Sequence, residues 1–297
     1  MKNLFKIGLA IFIIGIGLVI IFGLVSGEGF SSISPQDTDY TYHEVTYSED
    51  EFTSMAFTLE NKKVTVLPSE DENIKICYYE SKHDAITIEN DGTTLSILNE
   101  TEWYFHFFTL NIFSSPVIYQ VYIYLPDTFA VDLLVNTDNG AIYVSDHSLF
   151  TSLNLESSNG EIHLDNIDTT ASIRLDTSNG GLYINNVSTT SSITLDTSNG
   201  KVAVDELTAL RVDISTSNGN IDCNNITTDN LNVYTSNGSI DIDFQGAFTD
   251  YYLKMSTTNG SYYLNGDKVT QNAYHDSLLQ KIDCRTSNGN IHINFSS

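Results

Sequence analysis

Leu195-Asp196-Thr197-Ser198-Asn199-Gly200-Lys201-Val202 is the clearest copy of the unit that decides how this 297-residue chain folds. Its Asn-Gly pair recurs at Asn139, Asn159, Asn179, Asn199, Asn218, Asn237, Asn259 and Asn288, with spacings of 20, 20, 20, 19, 19, 22 and 29 residues. A near-constant period of this size marks a solenoid or another repeat array. The seventh and fifth residues before each glycine are apolar, from Leu133 and Val135 to Ile282 and Cys284. So are the second and fourth after it, from Ile142 and Val144 to Ile291 and Ile293. Both sets alternate with polar residues, the period of a strand with one buried face. Each unit reads as two short strands joined at Asn-Gly.

Two architectures fit that local pattern. Asn-Gly is the strongest short hairpin signal, because both residues tolerate the positive φ of a type I′ turn, and an antiparallel meander would put the same residues on one face. Parallel stacking instead makes every column repeat one residue type. Identical Asn side chains about 4.8 Å apart can then hydrogen-bond up the column, and glycine avoids the Cβ penalty at the bend. A meander has no use for Thr or Ser three before every glycine (Thr137, Ser157, Thr177, Thr197, Thr216, Thr235, Thr257, Thr286). Ile167, Val187, Leu207 and Ile226, seven after the glycine, supply a third wall. The expected fold is all-β: a single-domain parallel β-solenoid of about 20-residue coils with an N-terminal β cap.

Residues 7–25 are 19 consecutive apolar or glycine positions. That is enough to cross a hydrocarbon core of about 30 Å as a helix. Lys2 and Lys6 precede the run while Glu28, Asp37 and Asp39 follow it, so the positive-inside rule puts the N-terminus in the cytoplasm and the body outside. The organisation expected is a cytoplasmic tail (1–6), a transmembrane anchor (7–26), a linker (27–45), a cap with irregular first coils (46–135) and the repeat body (136–297). A cleaved signal peptide is the competing reading, although its apolar region would be long for that purpose.

The chain carries 38 acidic and 13 basic residues, for a net charge of −25. Such a surface repels nucleic acid. Of the cysteines Cys77, Cys223 and Cys284, the last two face inward three coils apart, roughly 14 Å, beyond the reach of a disulfide. Glu102 to Phe108 holds five aromatic residues, which fill the cap or touch a partner. The polar stretch from Asn265 to Ser277 reads as a loop extruded from one coil.

Stacking also creates outward columns. Glu156, Asp176 and Asp196 stand four before the glycine in three consecutive coils, about 5 Å apart, where like charges repel, raise one another's pKa or hold a cation. Arg174 is placed to neutralise that row, which otherwise reads as a solvated face. Carboxylates at this spacing also occur in retaining glycosidases, but such chemistry needs a walled cleft and most turns here are too short to build one. Tyr143, His163 and Tyr183, three after the glycine, form a ring column that either stacks on sugars or pairs across strands as exposed strand residues do. No His pair at metal spacing, CxxC, P-loop or nucleophile elbow occurs, so neither metal nor cofactor is expected.

With these repeats laid out, residues 45–297 resemble the bacterial putative-adhesin domain family, a domain of unknown function. The resemblance rests on the Leu-x-Thr-Ser-Asn-Gly-x-Ile-x-Val repeats, on Val121-Tyr122-Ile123-Tyr124-Leu125-Pro126 before the first of them, and on Tyr262-Tyr263-Leu264-Asn265-Gly266. It implies a β-solenoid on the outer face of the cytoplasmic membrane, in some cases alongside cell-envelope stress genes of the Lia type, and no catalytic residues. The expected role is a non-enzymatic, membrane-anchored protein that contacts wall polymer or an envelope protein. The alternative is a polysaccharide-active enzyme using the stacked carboxylates.

Overall fold

The computed structural model describes residues 39–101, 116–275 and 280–296. The expected tail and anchor, most of the linker and the aromatic run at Trp103 to Phe108 lie outside them. Among the described residues no helix is long and apolar enough to cross a membrane. The described chain is all-β, with two 3₁₀ turns, Pro116–Tyr119 and Phe248–Asp250, as its helical segments.

The repeats pair in parallel, like on like. Leu153 to Ser157 lies beside Ile173 to Thr177, which lies beside Ile193 to Thr197. After the turn, Ile142, Ile162, Leu182, Val202, Ile221 and Ile240 run up one column. The inward positions are buried, Leu155, Leu175, Leu195 and Val202 completely so, apart from Tyr262 and Leu264 of the Asn259 rung, which are partly buried. None of the turn Asn or Gly residues has a positive φ, so no type I′ hairpin is made at Asn-Gly.

Threonine and glycine solve the turn together. The Thr197 hydroxyl accepts a hydrogen bond from the Gly200 N–H of its own rung at 3.1 Å and donates to the Gly180 carbonyl of the rung beneath at 3.0 Å. Thr177 does the same with Gly180 and Gly160, and Thr216 with Gly219 and Gly200. These hydroxyls are buried, so each bridge satisfies two backbone groups that water cannot reach. Glycine is required for a different reason from the one expected. No left-handed bend is involved; a Cβ on Gly200 would sit 1.7 Å from the Gly180 carbonyl oxygen, and the other stacked turns are as tight. Outside the bridge runs a continuous amide ladder, each Asn Nδ2 donating to the Oδ1 of the rung beneath at 2.6–2.9 Å.

That ladder also reveals the order of the rungs, which departs from chain order at both ends. Asn288 donates to Asn237, and Asn259 donates to Asn288. The strands Gln280–Thr286 and Ile291–Ser296 are therefore inserted between the Asn237 rung and that of Asn259. Cys223 and Cys284 stand two rungs apart rather than three, and both remain free thiols. At the other end Asn139 donates to Asn61. Ser54–Leu59 and Lys63–Pro68 form a full rung between Val131–Thr137 with Ile142–Ser145 on one side and Thr94–Thr101 with Gln120–Leu125 on the other. This rung keeps the repeat's apolar spacing around Lys62, at Met55, Phe57, Val64 and Val66, but carries Asn-Lys in place of Asn-Gly.

Both outermost rungs are covered by antiparallel strands. Asp84–Asn90 pairs with Thr94–Thr101, and Ile74–Glu80 pairs with Gln120–Leu125 and with Thr41–Tyr47. At the far end Asp267–Val269 and Ala273–Tyr274 do the same, so the stretch expected as an extruded loop contributes strands to the end of the stack. Antiparallel partners occupy the edge bonds that another parallel strand would need. A second corner lies six residues after the glycine, where Asp146, Asn166, Asn186, Glu206 and Asn225 have φ of 51–58°. Asn186 donates to Asn166 and Asn166 to Asp146, a second side-chain ladder.

Two substitution series test this packing. Gly200→Ala is expected to cost about 3 kcal/mol or more, because backbone must move, whereas Gly92→Ala, at φ +85° with open space, should cost only about 1 kcal/mol. Thr197→Val is expected to cost about 2–4 kcal/mol by stranding two buried groups, with Thr197→Ser recovering most of it. Denaturant unfolding of the body measures both.

Candidate functional site

With the interior committed to packing, chemistry is left to the outward columns and to the two ends. Glu156, Asp176 and Asp196 are direct register partners, in line with Asn136 below and Ser215 above. Each carboxylate has a partner of its own. Asn154 donates to Glu156 at 2.9 Å, Arg174 to Asp176 at 2.5 Å, and Ser215 to Asp196 at 2.7 Å. Partial burial raises the Asp176 pKa above its ordinary value, Arg174 opposes the shift, and Asp196 and Glu156 add to it. Among the described residues no group of three or more His, Cys, Asp or Glu is placed to hold a metal ion.

Tyr143, His163 and Tyr183 also align as register partners. Their rings lie nearly parallel, with centroids 4.5 and 4.6 Å apart and interplanar angles of 10° and 17°. Both faces of His163, and one face each of Tyr143 and Tyr183, are therefore occupied within the stack. The Lys63 ammonium lies 4.1 Å over Tyr143, at the lower end of the column. Tyr183 packs against Gly181, where a Cβ would meet the ring at 2.7 Å. Ring edges and polar tips face outward, with His163 Nε2 3.2 Å from Glu161. Such pairs stabilise by about 0.5–1.5 kcal/mol beyond the area they bury, so the column ties three rungs together.

Further along the same column stand Ala203, Asp222 and Asp241, then His292 and Tyr263 in that spatial order. Tyr263 and His292 stack at 4.3 Å, and His292 Nδ1 lies 3.7 Å from Asp241. The other wall bears a shallow groove of about 350 Å³ lined by Asp213, Asn232, Tyr234, Asp283 and Arg285. Its charges are paired within each strand, Arg211 with Asp213 and Arg285 with Asp283. Sequence reasoning overlooked the second corner ladder and the Asn61 rung. The first was signalled by Asp or Asn, with Glu206 once, at a constant six residues after glycine in five rungs, the second by apolar spacing without an Asn-Gly pair.

The acidic column makes a pH-dependent prediction. A carboxyl whose folded pKa is raised contributes stability that is full below its unfolded value near 3.8 and is lost as pH rises through the folded value. Asp176 is half-exposed and screened, so the effect is small. Asp176→Asn should be at least as stable as the parent at pH 7 and lose that advantage at pH 3, as read by thermal unfolding.

No curated protein matches the chain. Solved structures do align with it. A putative cell adhesion protein from Clostridium sporogenes shares 14% identity over 87% of this chain and 100% of its own, with a TM-score of 0.28. A putative adhesin from Bacteroides fragilis shares 13% over 86% and 97%, with a TM-score of 0.45. A putative lipid binding protein from Parabacteroides distasonis shares 14% over 88% and 98%, also at 0.45. The sequence profile of the Toastrack DUF4097 family matches residues 52–294, nearly the whole described body, and the chain belongs to that family.

Proposed function

We propose that this chain is a membrane-anchored, extracellular parallel β-solenoid with a non-catalytic binding role in the cell envelope, contacting wall polymer or an envelope protein through its long faces. The observation that carries the reading is the state of the outward columns. Acidic and aromatic side chains stand in register over several rungs, each already paired or stacked along or across the ladder. A ligand meets a flat, repetitive, preorganised surface, which suits an extended polymer or a partner protein. The anchor at 7–26 and the positive-inside asymmetry support placing that surface outside the cytoplasmic membrane. Asp176, partly exposed and tied to Arg174, fits a solvated face better than the walled cleft that hydrolysis of a glycosidic bond requires.

Two measurements test the proposal together. Full-length protein should sediment with membranes, and its body should be shaved by protease from intact cells; a protected or cytosolic body contradicts the topology. The purified body should co-sediment with insoluble wall material or capture an envelope protein, and no wall glycan should be hydrolysed by the parent or by Asp176→Asn. Glycan turnover lost in Asp176→Asn would replace this reading with an enzymatic one.

A further inference from the structure

Lys62 occupies the place of the repeat glycine in the Asn61 rung, and its side chain runs into the cap instead of into solvent. It is 1% exposed and lies in a cluster with two other buried polar side chains, Asp84 at 3% and Asn99 at 7%. Asp84 joins the other two. Its Oδ2 accepts from Lys62 Nζ at 2.5 Å and its Oδ1 accepts from Asn99 Nδ2 at 2.7 Å. The Asn99 carbonyl oxygen accepts from the Glu60 N–H at 3.4 Å, on the turn that carries Lys62. The rings of Tyr40 and Tyr119 lie 5.7 and 5.6 Å from the ammonium, and the Tyr40 hydroxyl donates to Asp84. An amine, an amide and a carboxyl that touches both are thus held together away from water.

We propose that Lys62 and Asn99 join in an intramolecular isopeptide bond, with Asp84 carrying the protons. The buried ammonium first gives a proton to Asp84, which leaves a neutral amine and a neutral acid. Burial favours loss of the Lys62 charge, depressing the Lys62 pKa against the pull of Asp84. Nζ then attacks Cγ of Asn99, and the Glu60 N–H steadies the oxygen as negative charge develops there. Asp84 protonates the departing Nδ2, the C–N bond of the amide breaks, and ammonia leaves. A second proton passes from Nζ to Asp84 as the carbonyl re-forms. The products are one secondary amide, one ammonia and a protonated Asp84; no oxidant or cofactor enters. Holding the groups in one cage supplies the effective concentration that a free amine and amide lack.

The bond would weld the turn of the Asn61 rung to Thr94–Thr101 of the rung beneath it, closing the chain between residues 62 and 99. It would also replace a buried ion pair by a neutral amide, removing the cost of a charge without solvent. The full-length chain, purified from cells and analysed by mass spectrometry, decides the matter. A mass lower than the sequence mass by one ammonia, and a digestion fragment in which Lys62 is joined to Asn99, are expected. Asn99→Ala, which keeps the Lys62–Asp84 pair, should return to the unmodified mass, as should Asp84→Asn. An unmodified parent chain overturns the proposal, and so does loss of water with Lys62 joined to Asp84.

Discussion

A single hydroxyl between two glycines governs how closely the rungs approach. From the Gly140 rung to the Gly219 rung, the threonine (serine at 157) three residues before the glycine takes the N–H of its own turn and gives its proton to the carbonyl of the turn beneath. That bond is possible only because the glycine leaves no Cβ between the two backbones. Threonine without glycine would be pushed away from the rung below, and glycine without threonine would strand two buried backbone groups. The repeat is therefore a coupled pair of requirements, and the asparagine ladder is a further tie along the outside of the same turn.

A stack built this way has no intrinsic reason to stop, and the chain stops it twice by one device. At each end the terminal rung is made by a segment that is not terminal in the sequence, while the first and last full rungs in chain order are inserted one place further in. Antiparallel strands then cover the outer edges. Lys62 fits this scheme. Its rung has no repeat glycine beneath it, so a side chain at the glycine position has somewhere to go, and the cap meets it with Asp84 and Asn99.

Much of the repeat body was legible because columns of one residue type leave a period in one dimension. The inward apolar positions, the hydroxyl column and the asparagine ladder are all readable from spacing around Asn-Gly. The role of glycine was not, since the contact that excludes a Cβ lies between rungs about 20 residues apart in the chain. Nor was the rung order, because the Asn259 and Asn288 repeats carry the same local pattern and only the neighbours each one pairs with tell them apart. In the outward columns the sequence identifies which residues align, such as Tyr143 with His163, but not that their faces close on one another. The Lys62 cluster was invisible for a related reason: its members come from a turn and two strands of the cap, separated by 22 and 37 positions.

The most direct test of the parallel stack and of its exchanged end is chemical cross-linking between outward positions on one wall. Asn232 is the register partner of Asp283, and Asp283 in turn of Lys254. Adjacent rungs lie within disulfide reach and alternate ones do not. Oxidation should therefore link the double variant Asn232→Cys with Asp283→Cys and leave Asn232→Cys with Lys254→Cys reduced. Efficient linkage of the second pair but not the first would contradict the rung order and the stacking on which it rests.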